Sequence, residues 1–275
     1  MNNYNFTFDD MSDLWYCLYK RLISNGELVH SRIGDTKHIT DVTFCLTNPT
    51  KSITYNSVRK LSAKYMIAEL LWYLSGSNKI DFIGKYAKMW NSLTDDGETV
   101  NSAYGYRIFH QFGFDQLKFC IDKLKANKYD RQAVIHIKDA SNKPTKDTPC
   151  TCLIQFTVME GKLNAHTYMR SNDIWFGTPY DVIFFTLLQQ IVSRETGIPL
   201  GKYYHTVGDM HVYTKNIKDI DLNSVILERS PFVYNNPIQI QDAFKAYLEK
   251  GEITEYLPKC ILDLEEVKNL CTKTK

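Results

Sequence analysis

The residues best able to do covalent chemistry lie within positions 147–181, the run DTPCTCLIQFTVMEGKLNAHTYMRSNDIWFGTPYD. A thiol, Cys150, stands near one end, Arg170-Ser171-Asn172-Asp173 in the middle, and the carboxylate of Asp181 at the other. A thiol of ordinary pKa, about 8.5, is only a few per cent thiolate at neutral pH, so a nucleophilic cysteine needs a cation beside it. Arg170 is the candidate, and with Ser171 it gives the stretch the parts of an anion-binding nucleophile site. Taken alone, Cys150 also fits a small buried hydrophobe.

Elements must hold these groups still. Pro149 biases Thr148 toward an extended backbone, and the β-prone run 153–158 follows. Glu160-Gly161 then turns the chain into a hairpin partner at 162–168. A strand at 203–213 places Asp209, His211 and Tyr213 on one face, because strand side chains alternate. The longest apolar helix is expected at 179–194, stopped by Gly197-Ile198-Pro199.

A second chemical candidate sits upstream. Glu69 lies inside Met66-Ile67-Ala68-Glu69-Leu70-Leu71-Trp72-Tyr73-Leu74, a run apolar nearly all round within a helix expected at 57–75. A carboxyl there is expensive unless paired or functional, and an apolar setting raises its pKa toward neutrality, which suits proton transfer. A structural ion pair is the other reading of Glu69.

Elsewhere, Met11, Leu14, Trp15, Leu18 and Leu22 form a helical stripe. A polar loop is expected at 29–36, strands at 40–46 and 133–137, and helices at 78–89 and 114–125, with two more between 236 and 271. At 275 residues the chain is read as one compact α/β domain spanning 1–275, and 44% hydrophobic residues allow a sizeable core. A net charge of +2 gives no basis for nucleic-acid or membrane binding, and no apolar run reaches the roughly 18 to 20 residues of a membrane helix. The seven cysteines are scattered with no signal peptide ahead of them, which fits a reducing cytoplasm. Cys150-x-Cys152 lacks a companion pair at zinc spacing, so no metal is expected.

Pro149-Cys150, Gln155-Phe156, Arg170-Ser171, Asp173, Gly177-x-Pro179 and Gly208-Asp209-x-His211-x-Tyr213 together resemble the thymidylate synthase family. Further matches are Arg32-x-Gly34, Glu69-Leu70-Leu71-Trp72, Trp90 and Tyr104-Gly105, so the resemblance spans about 15–217. It implies a three-layer α/β (α+β) fold with a large mixed sheet, dimerising through that sheet. It also implies alkylation of carbon 5 of a pyrimidine nucleotide with 5,10-methylenetetrahydrofolate as co-substrate.

Residue by residue, the resemblance assigns Cys150 as nucleophile and Glu69 as organiser of water and protons. It puts Trp90, Asp173 and Gly177 on the folate side, where Tyr104 can help remove the C5 proton. Arg32, Arg170 and Ser171 fall on phosphate positions, Arg131 on one that reaches the partner's phosphate site in a homodimer, and His211 and Tyr213 on the sugar hydroxyl. Without the resemblance, Arg32 reads as a solvated arginine, Trp90 and Tyr104 as core aromatics, and His211 and Tyr213 as half-buried strand residues. Gln132 replaces the second of the family's paired arginines.

One position speaks to the base. The synthases carry Asn in Gly-x-Pro-Phe-Asn, whereas this chain reads Gly177-Thr178-Pro179-Tyr180-Asp181. Cytosine offers an N4 amino donor and an N3 acceptor, to which a carboxyl can respond. Cys150-Thr151 in place of Cys-His, Asn101-Ser102 before Tyr104-Gly105, and Arg170-Ser171-Asn172-Asp173 resemble the phage deoxycytidylate hydroxymethylases more closely. Leu93 replaces a tryptophan, and the polar run 270–275 replaces an apolar tail. Both imply a wetter site. The expectation is hydroxymethylation of dCMP. Reductive methylation of dCMP or dUMP, action on CMP, and a catalytically silent nucleotide- or RNA-binding relative are the alternatives.

Overall fold

The computed structural model describes residues 4–31, 33–140, 145–226 and 229–270. In chain order these form β1 (Tyr4–Phe8), α1 (Met11–Asn25), β2 (Glu27–Ser31), β3 (Gly34–Leu46), α2 (Ala63–Leu74), α3 (Ile80–Ile83), α4 (Trp90–Leu93), α5 (Tyr104–Phe109) and α6 (Gln116–Ala126). Then come β4 (Val134–His136), β5 (Thr151–Met159), β6 (Lys162–Asp173), α7 (Thr178–Thr196), β7 (Leu200–Tyr213), α8 (Pro237–Lys250) and α9 (Lys259–Leu270). The strands make one mixed seven-stranded sheet in the order β1-β3-β7-β6-β5-β4, with β2 paired to β3.

The amphipathic stripe behaves as its spacing predicts. Asp10 caps α1 by accepting from Ser12 N at 2.7 Å, and Met11, Leu14, Trp15, Leu18 and Leu22 are fully buried. Helices α1 and α7 lie on the sheet; α2 crosses α7 where Tyr73 meets Phe184 at 4.7 Å, and α8 and α9 pack against α2. Trp15 also donates its indole N–H to the Ile174 carbonyl at 2.7 Å, tying α1 to the loop that follows β6.

Three local expectations are corrected. Residues 29–36 are not a loop but the β2–β3 hairpin, with Val29 opposite Thr36. Their polar side chains fit because β2 is an exposed edge strand that asks nothing of the core. The helix expected at 57–75 begins only at Ala63. Asn56 Oδ1 accepts from Val58 N at 2.9 Å and Arg59 N at 2.8 Å, holding a turn, and the Ser62 hydroxyl caps α2 by accepting from Tyr65 N at 3.2 Å. Of the helix expected at 78–89, only the short α3 forms, ending at Gly84.

One feature of the sheet prepares the site. Along β6, Ala165, Thr167 and Met169 are buried, but past Arg170 the buried residue is Asn172; along β7 the pattern passes from Val207 to Met210 and Val212. This change of phase leaves Ser171, Asp173, Asp209, His211 and Tyr213 half-buried at one end of the sheet. β6 and β7 run parallel there, with Asp173 beside His211.

Candidate functional site

Cys150 enters β5 directly opposite Arg170 of β6, whose backbone N–H donates to the Cys150 carbonyl at 2.9 Å. The Arg170 side chain folds over the same segment. Its Nη2 lies 3.7 Å from Cys150 Sγ and donates to Thr148 O at 2.9 Å, while Nε donates to Pro149 O at 3.1 Å. The expected neighbour is therefore present, but its electrostatic effect is outweighed. Burial pushes the Cys150 thiol up to about 11; Arg170 opposes this, and Asp181 and Asp147 add to the rise. In this state Cys150 is a neutral thiol at neutral pH.

Behind the thiol lies a pocket of buried carboxyls and phenols. Tyr65, Glu69 and Tyr73 follow one another at four-residue spacing on α2 and so share a face. The Tyr65 phenol donates to Glu69 Oε1 at 2.6 Å and accepts from the Trp90 indole N–H at 3.2 Å. Burial raises the Glu69 carboxyl to about 8 against the Tyr65 hydrogen bond, with the negative charge of Asp181 adding to the rise. Tyr73 stacks on Tyr104 at 5.2 Å. Gly105 allows that approach, because a Cβ there would overlap the Tyr73 backbone carbonyl. Thr151 is fully buried, and its hydroxyl faces the Tyr104 phenol, whose pKa burial raises and Thr151 works to lower.

Asp181 stands in the first turn of α7 with its backbone N–H on Gly177 O at 3.0 Å. Burial lifts its carboxyl to about 7; the Asn172 hydrogen bond works against this and the charge of Asp173 with it. Asn172 Nδ2 donates to Asp181 Oδ2 at 2.8 Å, and Thr178 Oγ1 donates to Asn172 Oδ1 at 2.7 Å. Gly177 is packed against this pair. A Cβ there would sit 2.8 Å from Asn172 Nδ2 and 3.1 Å from Asp181 Oδ2.

On the side expected to take folate, Asp173 Oδ1 accepts from Trp175 N at 2.7 Å and Phe176 N at 3.0 Å, and burial raises its pKa. The Phe176 ring is 52% exposed beside it. A carboxyl fixed by two loop amides next to an open aromatic face suits a flat heterocycle with N–H groups, so these residues fit the co-substrate. Trp90 is only 5% exposed, and its N–H is given to Tyr65, so it supports the Tyr65–Glu69 pair. On the sugar side, Ser171 Oγ and His211 Nδ1 are 3.4 Å apart, and the His211 and Tyr213 rings meet edge-on at 5.6 Å.

The structure thus brings Cys150, Arg170, Glu69, Tyr104 and Asp181 within electrostatic reach of one another, with Gly177 against Asp181 and with Ser171, Asp173, His211 and Tyr213 together at the end of the β6–β7 pair. Arg131 is exposed in the turn before β4, and no hydrogen bond joins it to this cluster among the described residues. Arg32 lies outside the described residues. An open cleft of about 500 Å³ lined by Lys79, Asp81, Lys85, Asn91 and Glu98 shares no residue with the site. Among the described residues no group of three or more His, Cys, Asp or Glu side chains is placed to hold a metal ion, and no helix is long and apolar enough to cross a membrane.

The sequence alone assigns no role to Tyr65 or Arg59, and Asn172 enters it only as part of the Arg170–Asp173 motif. The Tyr65–Glu69 spacing was a legible signal. Arg59 was not: it reaches its place through a turn, donating to Trp175 O at 2.6 Å with its guanidinium 5.5 Å from the Trp175 ring and 5.7 Å from the Tyr180 ring.

The thymidylate synthase family pattern matches residues 15–265, and the chain is a member of that family. The match runs past 217, where the motif resemblance stops, and takes in α8 and much of α9. Among similar proteins, the deoxyuridylate hydroxymethyltransferase of Bacillus phage SP01 is 29% identical over an alignment of 255 residues that covers 87% of this chain. The chain spans 65% of that relative's length.

Proposed function

We propose that this protein transfers a one-carbon unit from 5,10-methylenetetrahydrofolate to carbon 5 of a cytosine nucleotide, dCMP, and releases the 5-hydroxymethyl product. The observation that carries the base assignment is Asp181, a half-buried carboxyl bound to Asn172 and lifted to about 7 by desolvation, at the position where the family's synthases hold a carboxamide. A carboxyl near half-protonation at neutral pH can accept from the N4 amino group and donate to N3.

The residues divide the work as follows. Arg170 and Ser171, with Arg32, hold the phosphate; His211 and Tyr213 hold the sugar. Cys150 loses its proton and bonds through Sγ to C6, which places electron density on C5. When bound, methylenetetrahydrofolate supplies the carbon at the methylene level. Tyr104 and the Glu69 carboxyl, poised near neutrality, take and pass on the proton that leaves C5. Loss of that proton breaks the bond between the new carbon and the folate nitrogen and releases tetrahydrofolate; water then adds to the exocyclic carbon, and departure of Sγ restores the ring. The support for water at this point is Thr151, a small hydroxyl side chain beside the nucleophile where the synthases carry a larger histidine.

A second reading is supported by the phage relative, whose name gives deoxyuridylate as its substrate. Incubation of dCMP, dUMP and CMP, each with methylenetetrahydrofolate, separates the readings by product mass. Hydroxymethyl-dCMP with release of tetrahydrofolate is expected. A methyl product, marked by the absorbance rise of dihydrofolate, or turnover of dUMP alone would overturn the proposal.

The same reading includes a homodimer through the sheet, with Arg131 reaching the partner's phosphate site. Its support is the sheet face that exposes His166, Arg170 and Tyr168, the last 40% exposed. Sedimentation velocity should give twice the chain mass of 32.0 kDa; a monomer at assay concentration contradicts it.

A further inference from the structure

The geometry points to Asn172, locked by Thr178, as the residue that fixes which Asp181 oxygen carries the proton, and through this as a specificity-positioning residue for the base. The inference rests on the reading of Asp181 as the group that meets the edge of the pyrimidine. Its physical origin is an ambiguity. A neutral carboxyl is one donor and one acceptor, and both pyrimidines present one of each at the 3 and 4 positions. Cytosine has an acceptor at N3 and a donor at N4; uracil has a donor at N3–H and an acceptor at O4. An acid whose proton sits on either oxygen reads both bases alike, so replacing Asn by Asp does not by itself give discrimination.

The bond to Asn172 removes the ambiguity. Thr178 Oγ1 donates to Asn172 Oδ1 at 2.7 Å, and a hydroxyl donating there holds the amide so that Nδ2 faces Asp181 Oδ2 at 2.8 Å. An oxygen receiving an N–H is an acceptor, so any proton on Asp181 belongs on Oδ1. Asn172 is 2% exposed and Thr178 fully buried, so water does not compete for the arrangement. Gly177 has no side chain to wedge between the two groups, and any Cβ there would lie 2.8 Å from Nδ2. The result is a carboxyl with a defined donor end and acceptor end.

Other ionisable groups bear on Asp181 and must be held apart in a test. Asp173 lies beside it, while Glu69 and Tyr73 on α2, Tyr104 on α5, Cys150 at the start of β5 and Tyr203 on β7 all feel its charge. Groups that serve both bases cancel in the ratio of kcat/KM for dCMP and dUMP, so the ratio against pH isolates the base-reading carboxyl. The Asn172 hydrogen bond works against protonation of Asp181, so its loss moves the titration seen in that ratio to higher pH.

The experiment measures kcat/KM for dCMP and dUMP from pH 6 to 9 in the wild type and in Asn172→Ala, Thr178→Val and Thr178→Ser, alongside thermal melts. Asn172→Ala and Thr178→Val are expected to bring the ratio at least about tenfold closer to one, with the pH dependence moved up in Asn172→Ala, while Thr178→Ser keeps the wild-type ratio. Equal losses for both bases, with the ratio and its pH dependence unmoved in folded Asn172→Ala and Thr178→Val, would overturn the inference. If Asn172→Ala fails to melt cooperatively, the Thr178 pair decides alone. A wild type that prefers dUMP, with a ratio that still collapses in the variants, removes the dCMP assignment and leaves the role of Asn172 standing. A dCMP preference that survives both variants does the reverse.

Discussion

Two halves of the site are built on opposite principles. The half proposed to read the base is the drier one and is pre-wired: Glu69 is buried and Asp181 half-buried, and their partners Tyr65 and Asn172 are held in turn by Trp90 and Thr178. The nucleophile half opens to solvent at Arg170. Arg170 is exposed and spends its donors on the carbonyls of Thr148 and Pro149, and Cys150 is a neutral thiol. The difference teaches where selectivity and reactivity come from. On the proposed reading, selectivity resides in the hydrogen bonds Asp181 makes in the resting protein, whereas the thiol, neutral at rest, must lose its proton when substrate binds.

That contrast can be broken from either side. The largest effect is expected for Cys150→Ser, which removes the bond to C6; product formation should fall by about 10⁴ or more, read by mass after long incubation. Next comes Arg170→Gln. It removes the one cation that lowers the Cys150 pKa, so alkylation by iodoacetamide at pH 8 should slow, and kcat/KM should fall by about 10² to 10³. Unchanged alkylation would show that Arg170 acts on the phosphate alone.

The smallest effect reports on the dry half. Glu69 titrates near 8 in the fold against a model-peptide 4.5, and Asp181 near 7 against 3.8, so for both groups folding favours the protonated form. Their stabilising contribution is full below the unfolded values and is lost as pH rises through about 7 to 8. The melting temperature should therefore decline between pH 5 and 8. Glu69→Gln should flatten that decline by about 2–4 °C. A decline as steep in the variant would place the effect elsewhere.

Much of this contrast was written locally in the chain. The stripe of α1, the hairpin of β5 and β6, and a glutamate set among apolar residues are patterns of spacing that survive folding unchanged. β1 was invisible because its partner, β3, lies some forty residues downstream, with Phe6 beside Phe44, and a short edge strand carries no periodic signature. The β2–β3 hairpin escaped because polar side chains on an edge look the same as those of a loop. Cys150 and its neighbour Arg170 were legible, but the state of the thiol was not: the sequence shows that a cation can be near, not how much water the fold removes. Asn172 was read as part of a motif, yet its bond to Asp181 depends on the turn at Gly177 that brings β6 back to α7.

The central claim is that the Asp181 carboxyl reads cytosine. Its most direct test is the ratio of kcat/KM for dCMP over dUMP in the wild type and in Asp181→Asn, measured at one pH. The wild type should favour dCMP and the Asn variant dUMP, a reversal of about 10² or more. A ratio that is the same in both proteins would contradict the account.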